Sequence, residues 1–246
     1  MKHAKESFNL QKHLTEEHKI GAFSSYLQEI VYGGNDGIVT TFAVVAGFAG
    51  AQSTMTALPV YAVLLFGLAN LFADGLSMGL GNFLSSRSEQ DLYKNEKAKE
   101  LYEIRHNKDL EVLESVEIMK MKGFTDKQAK QLIDIYSTNE AYWIDFMMNQ
   151  ELEMPNPEND NPVLNALATF IAFVLFGSIP LLPYIFLGHN ALFVHSIIAT
   201  IIALMLLGTL RWKVTKQSFI RSISEVLFIG GSAALVAYFV GVFLKM

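Results

Sequence analysis

Apolar runs of membrane length punctuate this chain. Glu29 to Gln52, Ala57 to Phe83, Pro162 to Leu187, Asn190 to Leu210 and Ser222 to Leu244 each approach the ~20 residues that cross ~30 Å of hydrocarbon. Five transmembrane helices are predicted. The first is the weakest because Asp36 interrupts it, and the alternative for that stretch is a re-entrant segment. Between the second and third runs the chain turns polar while keeping helical periodicity. The predicted class is therefore all-α and polytopic: an N-terminal segment over 1–28, spans one and two over 29–84, an inserted three-helix domain over 85–161, and spans three to five over 162–246.

Within the inserted block, residues from Arg87 to about Asn107 continue the second span. Asn107-Lys108-Asp109 reads as a break, with Asp109 as N-cap of a helix to Lys122 that Gly123 closes. Thr125 caps a third helix whose apolar positions Ala129, Leu132, Ile133 and Tyr136 recur at helical spacing. That helix is expected to run on through Trp143 to Glu151, ahead of Pro155 and Pro157.

Composition supports membrane insertion: hydrophobic residues make up 51% of 246, and only 17% are charged. The polar N-terminus shows no cleavable signal, so the first span is expected to serve as its own targeting signal. With no cysteine, any metal must be held by oxygen, imidazole or thioether. Most of the 24 acids lie in the block from 85 to 160, which excludes a nucleic-acid surface and points to a cationic ligand. The linker holding Arg211, Lys213, Lys216 and Arg221 is purely basic, whereas Ala51 to Thr56 and Gly188 to Asn190 carry no Lys or Arg. By the positive-inside tendency the N-terminus, the acidic block and the basic linker are cytoplasmic, and five crossings put the C-terminus outside.

Chemistry concentrates in the first two spans. Asp36 lies among glycines in Tyr32-Gly33-Gly34-Asn35-Asp36-Gly37, and Glu29 lies two turns earlier on the same face. An ionisable group at membrane depth costs ~2.5 to 3.5 kcal/mol on insertion scales, so Asp36 should face the bundle interior or a water-filled path. Asn70, Asp74, Met78 and Asn82 recur every four residues on the second span, as a pore-lining helix requires. Interhelical hydrogen bonding with Met as packing filler is the bland alternative. Gly67, Gly75, Gly79 and Gly81 permit close helix approach, within the chain or at a dimer seam. Pro180 and Pro183 should kink the third span.

In the block, Glu89, Glu96, Glu100, Glu103, Glu111, Glu114 and Glu117 fall within a sector of roughly 120° if the helix runs unbroken. Like charges stacked this way destabilise a helix, so a bound cation is the natural counter-charge. A solvated acidic face is the commoner explanation of a glutamate run taken alone. Carboxylates joined by Met147, Met148 and Glu151 form a mixed hard and soft set, better suited to Fe²⁺ or Mn²⁺, with Zn²⁺ or Co²⁺ as further options, than to Ca²⁺. His3, His13, His18, His106 and His189 show no ligand spacing.

Several motifs together resemble the vacuolar iron transporter family. They are Glu29-Ile-Val-Tyr-Gly-Gly-Asn-Asp36-Gly, Ser77-Met78-Gly-Leu-Gly-Asn-Phe-Leu-Ser-Ser-Arg87-Ser-Glu89, the spaced glutamates, the Met147-Met148-x-x-Glu151 run and Gly177-Ser-Ile-Pro-Leu-Leu-Pro-Tyr184. The likeness covers nearly the whole chain from about residue 26. It implies a homodimer of five-span protomers with a pore between the two copies of the first span, and a cytoplasmic helical domain that gathers divalent metal before translocation against protons. Asp36 and Met78 resemble the family's pore ligands, and Glu29 its cytoplasmic entrance. Glu100, Glu103, Glu111, Glu114, Met147, Met148 and Glu151 resemble its cytoplasmic metal ligands. Glu89, Glu96 and Glu117 are left to shape the field. This chain has Asn70 where many members have Glu, and Asp74 where a glycine is usual, so Asp74 stands as the substitute for proton coupling.

The expected function is export of Fe²⁺ or Mn²⁺ from the cytoplasm, with no catalytic cofactor. The compact chain suits a prokaryotic plasma membrane. Two rivals come from other classes. A membrane-tethered metal buffer or sensor would bind at the acidic block and move nothing. An intramembrane aspartyl protease would use Asp36 and Asp74 as a carboxyl pair sharing a proton.

Overall fold

The computed structural model describes residues 22–51, 60–187 and 191–243. The loops Ala51 to Thr56 and Gly188 to Asn190, one end of several predicted spans, most of the N-terminal segment, and His3, His13, His18 and His189 fall wholly or partly outside them. No strand occurs among the described residues, which form helices and their connections. The chain divides into a unit built from residues up to Gly81 together with Leu164 onward, and a second unit, Asn82–Val163.

The first unit begins with α1, Leu27–Ala51, which is continuous through the Gly-Gly-Asn-Asp-Gly stretch. At 1.5 Å per residue its 25 residues extend ~37 Å. The first part of α2, Val60–His106, follows, and then α6, Pro162–Ser178. A 3₁₀ turn, Ile179–Leu181, joins α6 to the short α7, Leu182–Phe186, so Pro180 and Pro183 fall where the α-helix gives way. The Pro180 carbonyl accepts a 2.7 Å hydrogen bond from Ser196 Oγ on α8, Leu192–Thr215, which keeps the buried polar group satisfied. The last helix is α9, Phe219–Phe243. Among the described residues four helices, α2, α6 with its continuation to Phe186, α8 and α9, are long and apolar enough to cross a membrane. α1 has the length, but Gly33, Gly34, Asn35 and Asp36 dilute its hydropathy.

α1 is the hub of this unit. Ile38 packs with Ala203, Leu204 and Leu207 of α8 and Val226 of α9. A Cβ added at Gly33 would lie 2.5 Å from the Thr169 carbonyl oxygen, and one at Gly37 would run into that of Phe173. Only glycine allows α1 and α6 to touch backbone to backbone there. The pairing of 33 with 169 and 37 with 173 makes these two helices parallel. A Cβ at Gly50 would lie 3.0 Å from the Gly241 backbone of α9, and one at Gly241 would lie 2.9 Å from the Gly47 carbonyl oxygen, while Gly34 meets Leu207 of the antiparallel α8. Gly67, Gly75 and Gly79 of α2 are filled from within the chain by Leu181, Phe173 with Phe170, and Ala166; Gly81 has nothing within 4 Å.

α8 runs further than its hydropathy indicates and takes Arg211 and Lys213 with it, so the basic linker shrinks to a short turn around Lys216. An ion-pair bridge explains the extension. Arg211 Nη1 and Arg221 Nε donate to opposite oxygens of Glu225, at 2.7 and 2.8 Å, which ties the two helix ends together.

The second unit holds the end of α2 followed by α3, Lys108–Met121; α4, Asp126–Tyr136; and α5, Glu140–Gln150. Two sequence expectations need correction here. Asn107, rather than Asp109, stands at the N-cap of α3 and makes no side-chain cap bond. The predicted third helix is two, because Asn139 accepts a hydrogen bond from the Tyr142 backbone N–H and restarts the chain after the Ser137 C-cap. Thr125 does cap α4, in a reciprocal capping box with Gln128. Tyr93, Ile104, Ile118, Trp143, Ile144, Met147 and Met148 form the main core. Gln90 Nε2 donates to the carbonyls of Pro157 and Asp160, at 3.0 and 2.9 Å, holding the segment that leads out of the unit.

Candidate metal-binding site

The acidic face is not a ladder. On an unbroken helix Glu100 and Glu111 would stand ~16 Å apart. Because the chain reverses at Asn107, carboxylate oxygens of Glu100, Glu111 and Glu151 all lie within 4.8 Å of one another. The end of α2, the start of α3 and the C-cap of α5 each contribute one acid.

Packing drives two of these acids inward. Glu100 and Glu111 are each 3% exposed, whereas Glu151 is exposed and opens the cluster to solvent. Glu100 Oε1 and Glu111 Oε2 are buried with no hydrogen-bond partner. Leaving such oxygens unpaired costs about 1 to 3 kcal/mol each, more when charged. Burial, reinforced by Glu151, Glu111 and Glu103, pushes the Glu100 carboxyl up to about 8. Burial, with Glu114, Glu103 and Glu151 beside it, pushes Glu111 up to about 6. Glu151 is raised as well, by burial and then by Glu114 and Glu103.

Cationic side chains do not relieve this charge. Lys97 pairs with Asp145 at 3.2 Å, Lys99 with Glu96 at 2.6 Å, Arg105 with Glu140 at 2.7 Å and Lys120 with Glu117 at 2.6 Å. Glu96 and Glu117 thus have basic partners, and Glu89 is exposed. Among the described residues no ion pair engages Glu100, Glu103, Glu111, Glu114 or Glu151. Glu103 and Glu114 are exposed, outside the three-acid cluster but near enough to repel it. Two orphaned buried oxygens, from Glu100 and Glu111, with the exposed Glu151 carboxylate beside them, fit a divalent cation.

Met147 and Met148 take a different position from the three acids. Both are completely buried in the apolar core. Met147 Sδ accepts a hydrogen bond from Ser115 Oγ at 3.1 Å, and Ser115 Oγ in turn accepts one from Trp143 Nε1 at 2.8 Å. Ser115 was invisible as a site residue in the sequence, where nothing distinguishes it from any other helical serine.

In the apolar unit Asp36 and Met78 are half-buried on α1 and α2. A Cβ added at Gly177 of α6 would lie 2.6 Å from Leu71 and 2.7 Å from the Gly37 carbonyl, so the neighbours of Asn70 and of Asp36 press against one point of α6. Asn70 Nδ2 donates to Asp74 Oδ2 at 2.6 Å. At the start of α1, Glu29 has its Oε2 buried without a partner. Glu225, the remaining acid of these helices, is neutralised by its two arginines.

Apolar helices of membrane length, together with a polar unit that gathers buried carboxylates, define an integral membrane protein with a candidate cation site. Residues 27–242 match the VIT family, and the chain belongs to it. It is 35% identical to a vacuolar iron transporter of Toxoplasma gondii, over 99% of this chain and 83% of that protein. It is 33% identical to vacuolar iron transporter 1 of Arabidopsis thaliana, over 95% and 91% of the two chains. With the vacuolar iron transporter of Plasmodium falciparum it shares 32% identity, over 96% and 88%. These relatives are named as transporters, so the chain is not an enzyme and the protease reading falls.

Proposed function

We propose that this protein exports Fe²⁺, with Mn²⁺ as a second cargo, from the cytoplasm across the plasma membrane of a prokaryotic cell. The observation that carries this reading is the convergence of Glu100, Glu111 and Glu151, the first two with unpaired buried oxygens, in a chain whose relatives are named iron transporters. In this reading α1 also crosses the membrane, as the first of five spans. Its parallel course beside α6 and α9 and antiparallel course beside α8 support that, since a re-entrant segment would turn back. Residues 85–161 then form a cytoplasmic loading domain, with Glu103 and Glu114 drawing cations toward the buried acids. Met147 and Met148 are assigned to the metal as thioether ligands that become available only if the core around Ser115 rearranges.

From the loading domain the ion passes Glu29 and then Asp36 and Met78, each contributed twice by a two-fold homodimer. Protons and metal compete for the same carboxylate oxygens, so metal outflow is coupled to proton entry, with Asp74 held in place by Asn70 as the proton-carrying acid of α2. Reconstitution in proteoliposomes tests this. Wild-type protein should move Fe²⁺, faster with an opposing proton gradient, and Asp36→Ala should abolish the flux while retaining metal bound at the polar unit. Fe²⁺ binding without flux in the wild type would favour a tethered buffer instead.

A further inference from the structure

An apolar groove of about 440 Å³ runs between α1, α6 and α8, lined by Tyr26, Ile30, Ala168, Leu175, Phe176 and Leu210 among others. The lining is uncharged, and charge gathers beyond one end of it. Tyr26 and Leu210 mark that end, because α1 starts there and the antiparallel α8 finishes there. Lys213 stands one turn beyond Leu210 on the same helix face, exposed and with no ion pair among the described residues. Asn165 stands one turn before Ala168 on α6, half-buried. Beyond Lys213, Arg211 and Arg221 share the single Glu225, so the α8–α9 turn, with Lys216, keeps an excess of positive charge. Trp212 and Phe219 pack edge to face across this turn, with Ile220 77% exposed beside them, as at a headgroup boundary.

We propose that this groove is a binding site for an anionic phospholipid, an acyl chain lying along α6 and the phosphate meeting Lys213. Charge complementarity selects the occupant. An apolar slot alone would take any acyl chain, but a slot that ends at an unpaired lysine in a basic turn favours a lipid with net negative charge. The site rests on membrane insertion and does not depend on the transport reading. Its lipid would touch α1 within one residue of Glu29, through Ile30.

Native mass spectrometry of the purified full-length protein, offered equal amounts of phosphatidylglycerol and phosphatidylcholine, tests the assignment. Phosphatidylglycerol should be retained about fivefold over phosphatidylcholine, the preference one lysine supports for a headgroup of net negative charge over one whose phosphate is balanced by choline. Lys213→Gln should bring that ratio to about one without lowering total lipid retained. Ala168→Trp, which fills the groove, should lower retention of both lipids, and inorganic phosphate at equal concentration should not raise the thermal midpoint. Equal retention by the wild type, or an unchanged preference in Lys213→Gln, would overturn the proposal. So would Ala168→Trp separating a dimer while the lipid count stays constant, because that result gives the groove to a second copy. Lys213 is a surface residue, so its result stands even where the tryptophan variant does not fold.

Discussion

Glu100 and Glu111 face each other across the chain reversal at Asn107, both 3% exposed, with one oxygen of each lacking any partner. The pair is stable only if a proton or a cation sits between the two carboxylates. Replacing Glu100 or Glu111 by Gln should lower Fe²⁺ affinity of the full protein by about tenfold or more, as expected for loss of one charged ligand. Titration calorimetry under anaerobic conditions would measure it, and equal affinity in both variants would remove these acids from the site.

The same pair sets a pH dependence whose sign is fixed. Both carboxyls are raised in the folded protein, to about 8 and about 6, above the ordinary value near ~4.3. Their protonated forms therefore contribute stability that is full below the unfolded value and is lost as pH rises through about 6 and about 8. Metal affinity should move oppositely, climbing between pH 6 and pH 8 as bound protons stop competing. Metal-free protein should accordingly melt at lower temperature at pH 8 than at pH 6, with Glu100→Gln flattening most of that difference.

Met147 and Met148 call for a substitution that separates ligation from packing. Alanine at either fully buried position would cost roughly 2 to 5 kcal/mol through cavity formation alone. Leucine conserves the volume at a cost below about 1.5 kcal/mol. If the thioethers reach the metal, Met147→Leu/Met148→Leu should weaken Fe²⁺ binding while the thermal midpoint shifts only slightly. A midpoint that holds with unchanged affinity would assign both methionines to the core.

Gly37 and Gly177 are the points at which α1, α6 and α2 press together. Gly37→Ala forces a methyl into the Phe173 carbonyl, which a backbone can evade only by moving the helix that carries Asp36. The expected loss is about 1 to 3 kcal/mol, read as earlier thermal unfolding in detergent. Gly81→Ala, with nothing within 4 Å, should be neutral and serves as the control.

The Asn70 amide holds Asp74 at 2.6 Å. Asn70→Ala should slow Fe²⁺ flux in proteoliposomes and reduce its response to a proton gradient, while Fe²⁺ binding at the polar unit stays as in the wild type. Flux that is just as gradient-sensitive after Asn70→Ala and Asp74→Asn would release Asp74 from proton coupling.

The apolar helices were legible because hydropathy over some twenty residues is a summed signal that local detail cannot erase. Thr125 was legible as a cap because its chemistry is local. The restart at Asn139 was not, since the apolar positions of α4 and α5 continue in phase across it and mask one asparagine. The acids themselves could be picked from spacing and resemblance. Their arrangement could not: the break at Asn107 to Asp109 was readable, but not that the chain reverses there, since no glycine or proline fixes the turn. Hydropathy likewise marks the apolar span and not the end of α8, whose basic residues continue the helix with Arg211 bonded to Glu225 of the next helix.

The reversal at Asn107 also makes a bound ion a clasp. Glu111 and Glu151 bracket α3, α4 and α5, so one cation joining them to Glu100 closes that whole stretch into a loop anchored on α2. An ion taken up there would stiffen the unit and its release would loosen it, with stability growing as the logarithm of free metal. Resistance of this unit to proteolysis would then gauge the free metal around it.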